Sequence, residues 1–198
     1  SAWTTNHDAI SQWDYSVLGV RVIMPMTNSG YGVGGESECT ESSELNPISV
    51  YGKSKCAAER TVLKHNGVSL RFATLFGMSP RPRIDLLVND FVYRAMRDKY
   101  VVLFEANFRR NYLHVRDAAS AIIWALDHYD EMKGKPYNVG LPDANLTKRQ
   151  LCEKIKEHIP DFYFVEAEIG EDPDRRDYIC SNDRMLATGW RPQFSLDD

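Results

Sequence analysis

Leu18-Gly-Val-Arg-Val-Ile-Met-Pro-Met26 runs directly into Thr27-Asn-Ser-Gly-Tyr-Gly32, and this junction decides the fold class. The first stretch is a short apolar run with β-branched side chains, the pattern of a strand buried on both faces. It breaks into a Gly-rich loop at residues 30–35. Tyr51-Gly-Lys-Ser-Lys55 then opens a helix that carries Ala58 and Val62 on one stripe and stops at Asn66-Gly67. Residues 68–76 read as the next strand. Strand and helix alternate from there on, which is the pattern of an α/β fold.

Further along, residues 86–97 read as a helix, 100–104 and 112–115 as strands, and 117–129 as a helix with Ala121, Ile122, Ala125 and Leu126. Residues 137–139 are another strand. Thr147-Lys-Arg-Gln150 fits a capping box for a helix through residue 159. A strand at 162–166 and a short helix at 183–188, ended by Gly189, complete the series. Residues 1–16 show no clear period, with four polar residues from Thr4 to His7.

Composition narrows the function classes. The 198 residues hold 24 basic and 28 acidic side chains, for a net charge of −4, so nothing draws the chain broadly to nucleic acid or an anionic membrane. Cys39, Cys56, Cys152 and Cys180 lack metal-site spacing and read as free thiols in a reducing cytoplasm, with no metal expected. No apolar run reaches the ~20 residues of a membrane span.

Tyr51 and Lys55 stand four residues apart, so on a helix they share one face. A phenol is a poor base near its free pKa of about 10, and a neighbouring ammonium favours the phenolate. A hydroxyl such as that of Thr27 would hold a substrate oxygen against the phenol. The three make a proton shuttle for oxidising an alcohol or reducing a ketone.

The order of motifs resembles the extended short-chain dehydrogenase/reductase family in its nucleotide-sugar epimerase/dehydratase branch. The matching stretches are residues 27–32, 46–55 with Glu59, Leu70-Arg71 leading to Phe76-Gly77, 110–117, 137–140, and a closing run at 173–178 followed by Gly189-Trp190. The resemblance implies the second half of a Rossmann-like parallel sheet with a smaller α/β substrate-binding lobe. It assigns residues 17–80 and 112–140 to the Rossmann-like part, and 81–111 and 141–198 to the lobe.

By the same resemblance, Tyr51 is the acid/base, Lys55 lowers its pKa and binds the nicotinamide ribose, and Thr27 orients the reacting hydroxyl. Thr27, Asn28, Ser29 and Thr74 line the sugar, although Thr27 and Ser29 also suit plain loop capping. Arg110 matches an arginine that holds the substrate pyrophosphate, a task suited to a planar, permanently charged fork. Arg175 or Arg176 matches a second one. Asp117 heads a helix as its cap, and His114 reads as a core histidine. The implied activity is epimerisation of a nucleoside-diphosphate sugar through a keto-sugar, with NAD (or NADP) as cofactor, in a cytoplasmic homodimer. A keto-sugar reductase or dehydratase, or a non-catalytic nucleotide-sensing subunit, are the alternatives.

Departures from the pattern bear on that choice. Asn28-Ser29 replaces the Asp-Glu of the 4,6-dehydratases, removing the acid expected to drive loss of water. Thr74 stands where an Asn is usual, and Arg110-Asn111 where Arg-Asp is. The strand, Gly-rich turn and helix that cradle a dinucleotide are not found, since residues 30–35 follow the wrong strand. The expectation is a truncated chain whose first strand is left with an open hydrophobic edge.

Overall fold

The computed structural model describes residues 1–12, 17, 19–168, 170 and 176–198, with the backbone alone at 34–36. Residues Thr4–Asp8 and Ala9–Ser11 are helical, although no period announced it. They dock through Asn6 Nδ2, which donates to Ser54 Oγ at 3.2 Å. Strand β1 spans Ile23–Thr27, shorter than the 18–26 expected. Gly19 turns the chain before it with φ of +62°, and Leu18 lies outside the described residues. Pro25 sits in β1 because this strand pairs on one side only among the described residues, where a missing N–H costs nothing.

Residues 30–35 are not the loop that their glycines suggest. Asn28–Tyr31 form one turn of 3-10 helix, and β2 follows at Val33–Cys39. Helix α1 spans Val50–Lys64, with Ser49 Oγ accepting from Gly52 N at 3.0 Å as its N-cap. Asn66, at φ +57°, and Gly67 stop it as read from the sequence. The strand expected at 68–76 divides into β3 (Val68–Phe72) and β4 (Thr74–Phe76), because the chain changes sheets at Ala73.

Helix α2 (Leu87–Arg97), strand β5 (Tyr100–Leu103) and strand β6 (Arg109–His114) follow. Helix α3 spans Val115–Asp127, and a separate turn at Tyr129–Met132 leads to β7 (Pro136–Val139). Strand β8 (Asn145–Thr147) delivers Thr147 to cap α4 (Lys148–His158), and the capping box with Gln150 is complete. Strands β9 (Tyr163–Glu166) and β10 (Asp177–Cys180) and helix α5 (Asp183–Ala187) end the series.

The parallel sheet runs in the order β1-β3-β7, with Thr27 opposite Phe72 and Phe72 opposite Val139. Strand β6 lies between β4, parallel, and β8, antiparallel, and two further parallel pairs join β2 to β10 and β5 to β9. Two cores result. Leu70, Leu113, Ala121, Val139, Met185 and Trp190 pack between the main sheet and α3. Phe76, Val88, Phe91, Tyr112, Leu151 and Phe162 pack between α2, α4 and the smaller strands. The indoles that clip α5 and the following chain onto α3 are both satisfied. Trp124 Nε1 donates to Thr188 Oγ1 at 3.0 Å, and Trp190 Nε1 to Ser120 Oγ at 3.1 Å.

Asp117 does not cap its own helix. His114 does that, its Nδ1 accepting from Arg116 N at 3.3 Å. The Asp117 carboxylate, buried in the first turn, instead accepts the backbone N–H groups of Gln193 and Phe194 at 2.9 and 3.0 Å. No helix among the described residues is long and apolar enough to cross a membrane.

Candidate active site

Thr27 is the last residue of β1, so it stands at the carboxyl end of a parallel sheet, where open α/β folds bind ligands. Its Oγ1 accepts from Ser29 N at 3.1 Å and shares a 2.8 Å hydrogen bond with Ser29 Oγ. That bond fixes the 3-10 turn and carries both hydroxyls together. Gly32 ends the turn at φ +68°, where a Cβ would lie 2.1 Å from Asn46 O, so only glycine fits.

Helix α1 brings Tyr51 to the same place. Its Gly52 packs on the turn: a Cβ there would sit 2.9 Å from Pro47 Cβ and 3.5 Å from the Ser29 carbonyl. The absent side chain thus lets the first turn of α1 lie against the 28–31 turn. Tyr51 is 45% exposed, and its hydroxyl has no hydrogen-bond partner among the described residues, which leaves it open to a ligand. Burial raises its pKa, and the guanidiniums of Arg176 and Arg83 pull it back.

Lys55 is placed differently from the expectation that it acts on Tyr51. Its ammonium, half-buried and lowered in pKa by that burial, donates to the Pro25 carbonyl at 2.9 Å. That carbonyl belongs to β1, which pairs on one side only among the described residues. The charges that act on the phenol come instead from outside the helix.

Arg176 enters at the head of β10. Its Nη1 donates to Ser29 Oγ, so one hydrogen-bonded row links Thr27, Ser29 and Arg176 beside Tyr51. Arg175 lies outside the described residues. Arg110 is buried in β6, and both Arg110 and Arg176 favour ionisation of the buried Tyr178 phenol, which burial holds well above its usual range. Two permanent cations therefore converge on one residue. The neighbouring Arg109 is committed elsewhere, its Nε and Nη2 gripping Asp177 at 2.9 and 3.0 Å and thereby tying β6 to β10. Thr74 is half-buried two residues beyond Phe72, the partner of Thr27. Asn28 is fully buried, with neither amide atom hydrogen-bonded, so it does not present itself at the surface of the site.

Sequence reasoning missed Arg83, which is exposed, grips Asp85 with two 2.7 Å hydrogen bonds and acts on Tyr51 from a loop. No local pattern marked it. Tyr31 was also passed over, although it stands in the motif at 27–32 and proves to be buried and fully engaged.

The family model for NAD-dependent epimerases/dehydratases matches residues 11–140. The chain belongs to the NAD-dependent epimerase/dehydratase family. A Methanocaldococcus jannaschii protein named provisionally as a UDP-glucose 4-epimerase is 24% identical over 93% of this chain. The chain spans 66% of that relative's length. Among solved structures, a UDP-glucose 4-epimerase of Thermotoga maritima with UDP-glucose superposes with a TM-score of 0.84 at 24% identity, over 98% of this chain and 66% of that one. A dTDP-glucose 4,6-dehydratase of Bacillus anthracis in complex with NAD gives 0.80 at 23% identity, over 98% and 65%. These likenesses establish the fold, an α/β architecture built on a Rossmann-like parallel sheet.

Proposed function

We propose that this chain carries the chemistry of an epimerase that inverts a carbon of a nucleoside-diphosphate sugar through a keto-sugar intermediate. The observation that supports it is the row Thr27–Ser29–Arg176 lying beside an accessible Tyr51 phenol. In this reading Thr27 Oγ1 holds a ring hydroxyl, and Tyr51 takes its proton as the carbon is oxidised. The same phenol returns the proton when the opposite face is reduced. Arg110 and Arg176 hold the diphosphate, which needs fixed, permanent charge. Ser29 places no acid beside the sugar, which favours epimerisation over loss of water.

NAD, when bound, supplies the hydride acceptor and donor. The residues present fit its nicotinamide-ribose end: Tyr51 and Lys55 stand one turn apart on α1, both partly desolvated. The glycines at 30–35 lie in the 3-10 turn and β2 rather than at a strand-to-helix junction, so they do not form a diphosphate cradle.

The test is product analysis of an enzyme containing this chain, supplied with NAD and nucleoside-diphosphate hexoses. A stereoisomer of unchanged mass with no net NADH supports the reading. Consumption of NADH or loss of water assigns the chain to a reductase or a dehydratase instead.

A further inference from the structure

Behind the candidate site runs a buried polar chain whose links come from four distant segments. Glu59 lies on the same stripe of α1 as Tyr51 and Lys55, at four-residue intervals. Its carboxylate, 2% exposed, receives Arg71 Nε and Nη2 of β3 at 2.9 and 2.8 Å and Ser69 Oγ at 2.6 Å. Arg71 Nη1 donates onward to the Tyr31 hydroxyl at 2.9 Å. Tyr31 in turn reaches Asn138 Oδ1 of β7 at 2.7 Å and the Thr40 carbonyl at 3.0 Å. Asn138 closes the chain, its N–H donating to Glu41 Oε1 at 2.8 Å and its Nδ2 to the Ser181 carbonyl at 2.9 Å.

The arrangement has a consequence for geometry. Tyr31 is the last residue of the 3-10 turn that Thr27 caps. Glu59 is two helical turns along α1 from Tyr51. A rigid bridge from Glu59 through Arg71 to Tyr31 therefore spans the two elements whose separation sets the distance from Thr27 to Tyr51. Such a network holds its members in one arrangement because any half-broken state leaves buried polar groups unpaired. Burial works against the Arg71 cation, but the hydrogen bonds and charge of Glu59 hold it above its ordinary pKa, so the bridge keeps its charge.

We propose that Tyr31 is a positioning residue: tied to Glu59 through Arg71, it fixes the turn bearing Thr27 and Ser29 against helix α1 and so keeps Arg176 beside the Tyr51 phenol. The role rests on the reading of Tyr51 as the proton carrier. It requires no contact between Tyr31 and substrate.

The experiment places a fluorinated tyrosine at position 51, whose phenol ionises at lower pH than tyrosine, and follows its titration by 19F NMR in the 198-residue chain. Tyr31→Phe removes one oxygen and keeps the ring. The expected result is a titration midpoint moved upward by roughly half a unit or more, part of the ~1–3 units that a close opposite charge exerts. Arg176→Gln should move it in the same direction. Tyr93→Phe, on the exposed face of α2, should leave it unchanged.

An unmoved midpoint in Tyr31→Phe, with Arg176→Gln still effective, overturns the positioning role and leaves the site reading intact. No movement in either overturns both. Should Tyr31→Phe fail to fold, Glu59→Leu with Arg71→Met removes the bridge and both of its charges together. The same upward movement is expected there, and a wild-type midpoint in that double variant overturns the proposal.

Discussion

Replacing Glu59 by glutamine isolates the charge in the buried bridge. Glutamine keeps the volume, so the change leaves no cavity. The guanidinium of Arg71, 4% exposed, is left without a counter-ion and with an amide opposite it. Removing one partner of a buried ion pair costs about 3–5 kcal/mol, because the remaining charge stays desolvated. Three hydrogen bonds converge on this carboxylate, all at 2.6–2.9 Å, which argues for the upper part of that range. At about 2–4 °C per kcal/mol for a chain of this size, the melting temperature should fall by roughly 6–20 °C. Circular dichroism with urea titration supplies the free energy directly, provided that the slope stays unchanged. Glu59→Leu combined with Arg71→Met should recover most of the loss, since apolar replacement of a buried pair is often near neutral. A Glu59→Gln variant within about 1 kcal/mol of the parent, or a double variant no better than the single one, would refute the reasoning.

Three further outcomes follow from the site. In an active enzyme containing this chain, Tyr51→Phe should lower turnover by about 10²–10⁴-fold, the usual contribution of a proton-transfer group, with sugar-nucleotide affinity nearly kept; steady-state kinetics and calorimetry read the two apart. Arg110→Leu should weaken a nucleoside-diphosphate sugar by roughly 1.5–3 kcal/mol and leave the bare cofactor unaffected; equal affinity for the sugar nucleotide in a titration removes Arg110 from the site. The 198-residue chain alone should bind NAD poorly, because its glycines at 30–35 cradle no diphosphate; micromolar affinity by fluorescence, with a cooperative melt, would contradict this.

How much was legible depends on how local the signal was. The sequence reading opens helix α1 at Tyr51 and stops it at Asn66-Gly67, signals within the segment itself, and the helix begins one residue before Tyr51. The Thr147–Gln150 box was equally self-contained. Strands β2 and β10 were not read. Val33–Cys39 has no alternation of apolar and polar residues, and Asp177–Cys180 is only four residues long. Each exists because the other lies beside it, Cys39 opposite Cys180, with Asn145 bonding both the Cys180 N–H and its carbonyl. Pairing across such a separation leaves no trace in either segment. Strand β1 begins later than its apolar run predicts, after a turn at Gly19 with φ of +62°, and it carries Pro25 within its paired span.

The site divides along the same line. Spacing alone placed Tyr51 and Lys55 on one helical face, and the structure keeps them there. Spacing also suggested that the lysine tunes the phenol, yet its ammonium is held by the Pro25 carbonyl, a partner thirty residues away. The cations that favour the Tyr51 phenolate are Arg176 and Arg83, brought by a strand head and a loop. A proton carrier whose supporting charge comes through tertiary contacts depends on whatever holds those contacts. Here that is the Ser29 hydroxyl, the turn capped by Thr27, and the Tyr31–Arg71–Glu59 bridge behind it. On the proposed reading of Tyr51, residues that never touch a substrate thus share control of when the phenol gives up its proton, and a change at Glu59 or Tyr31 is expected to reach the chemistry by moving Arg176.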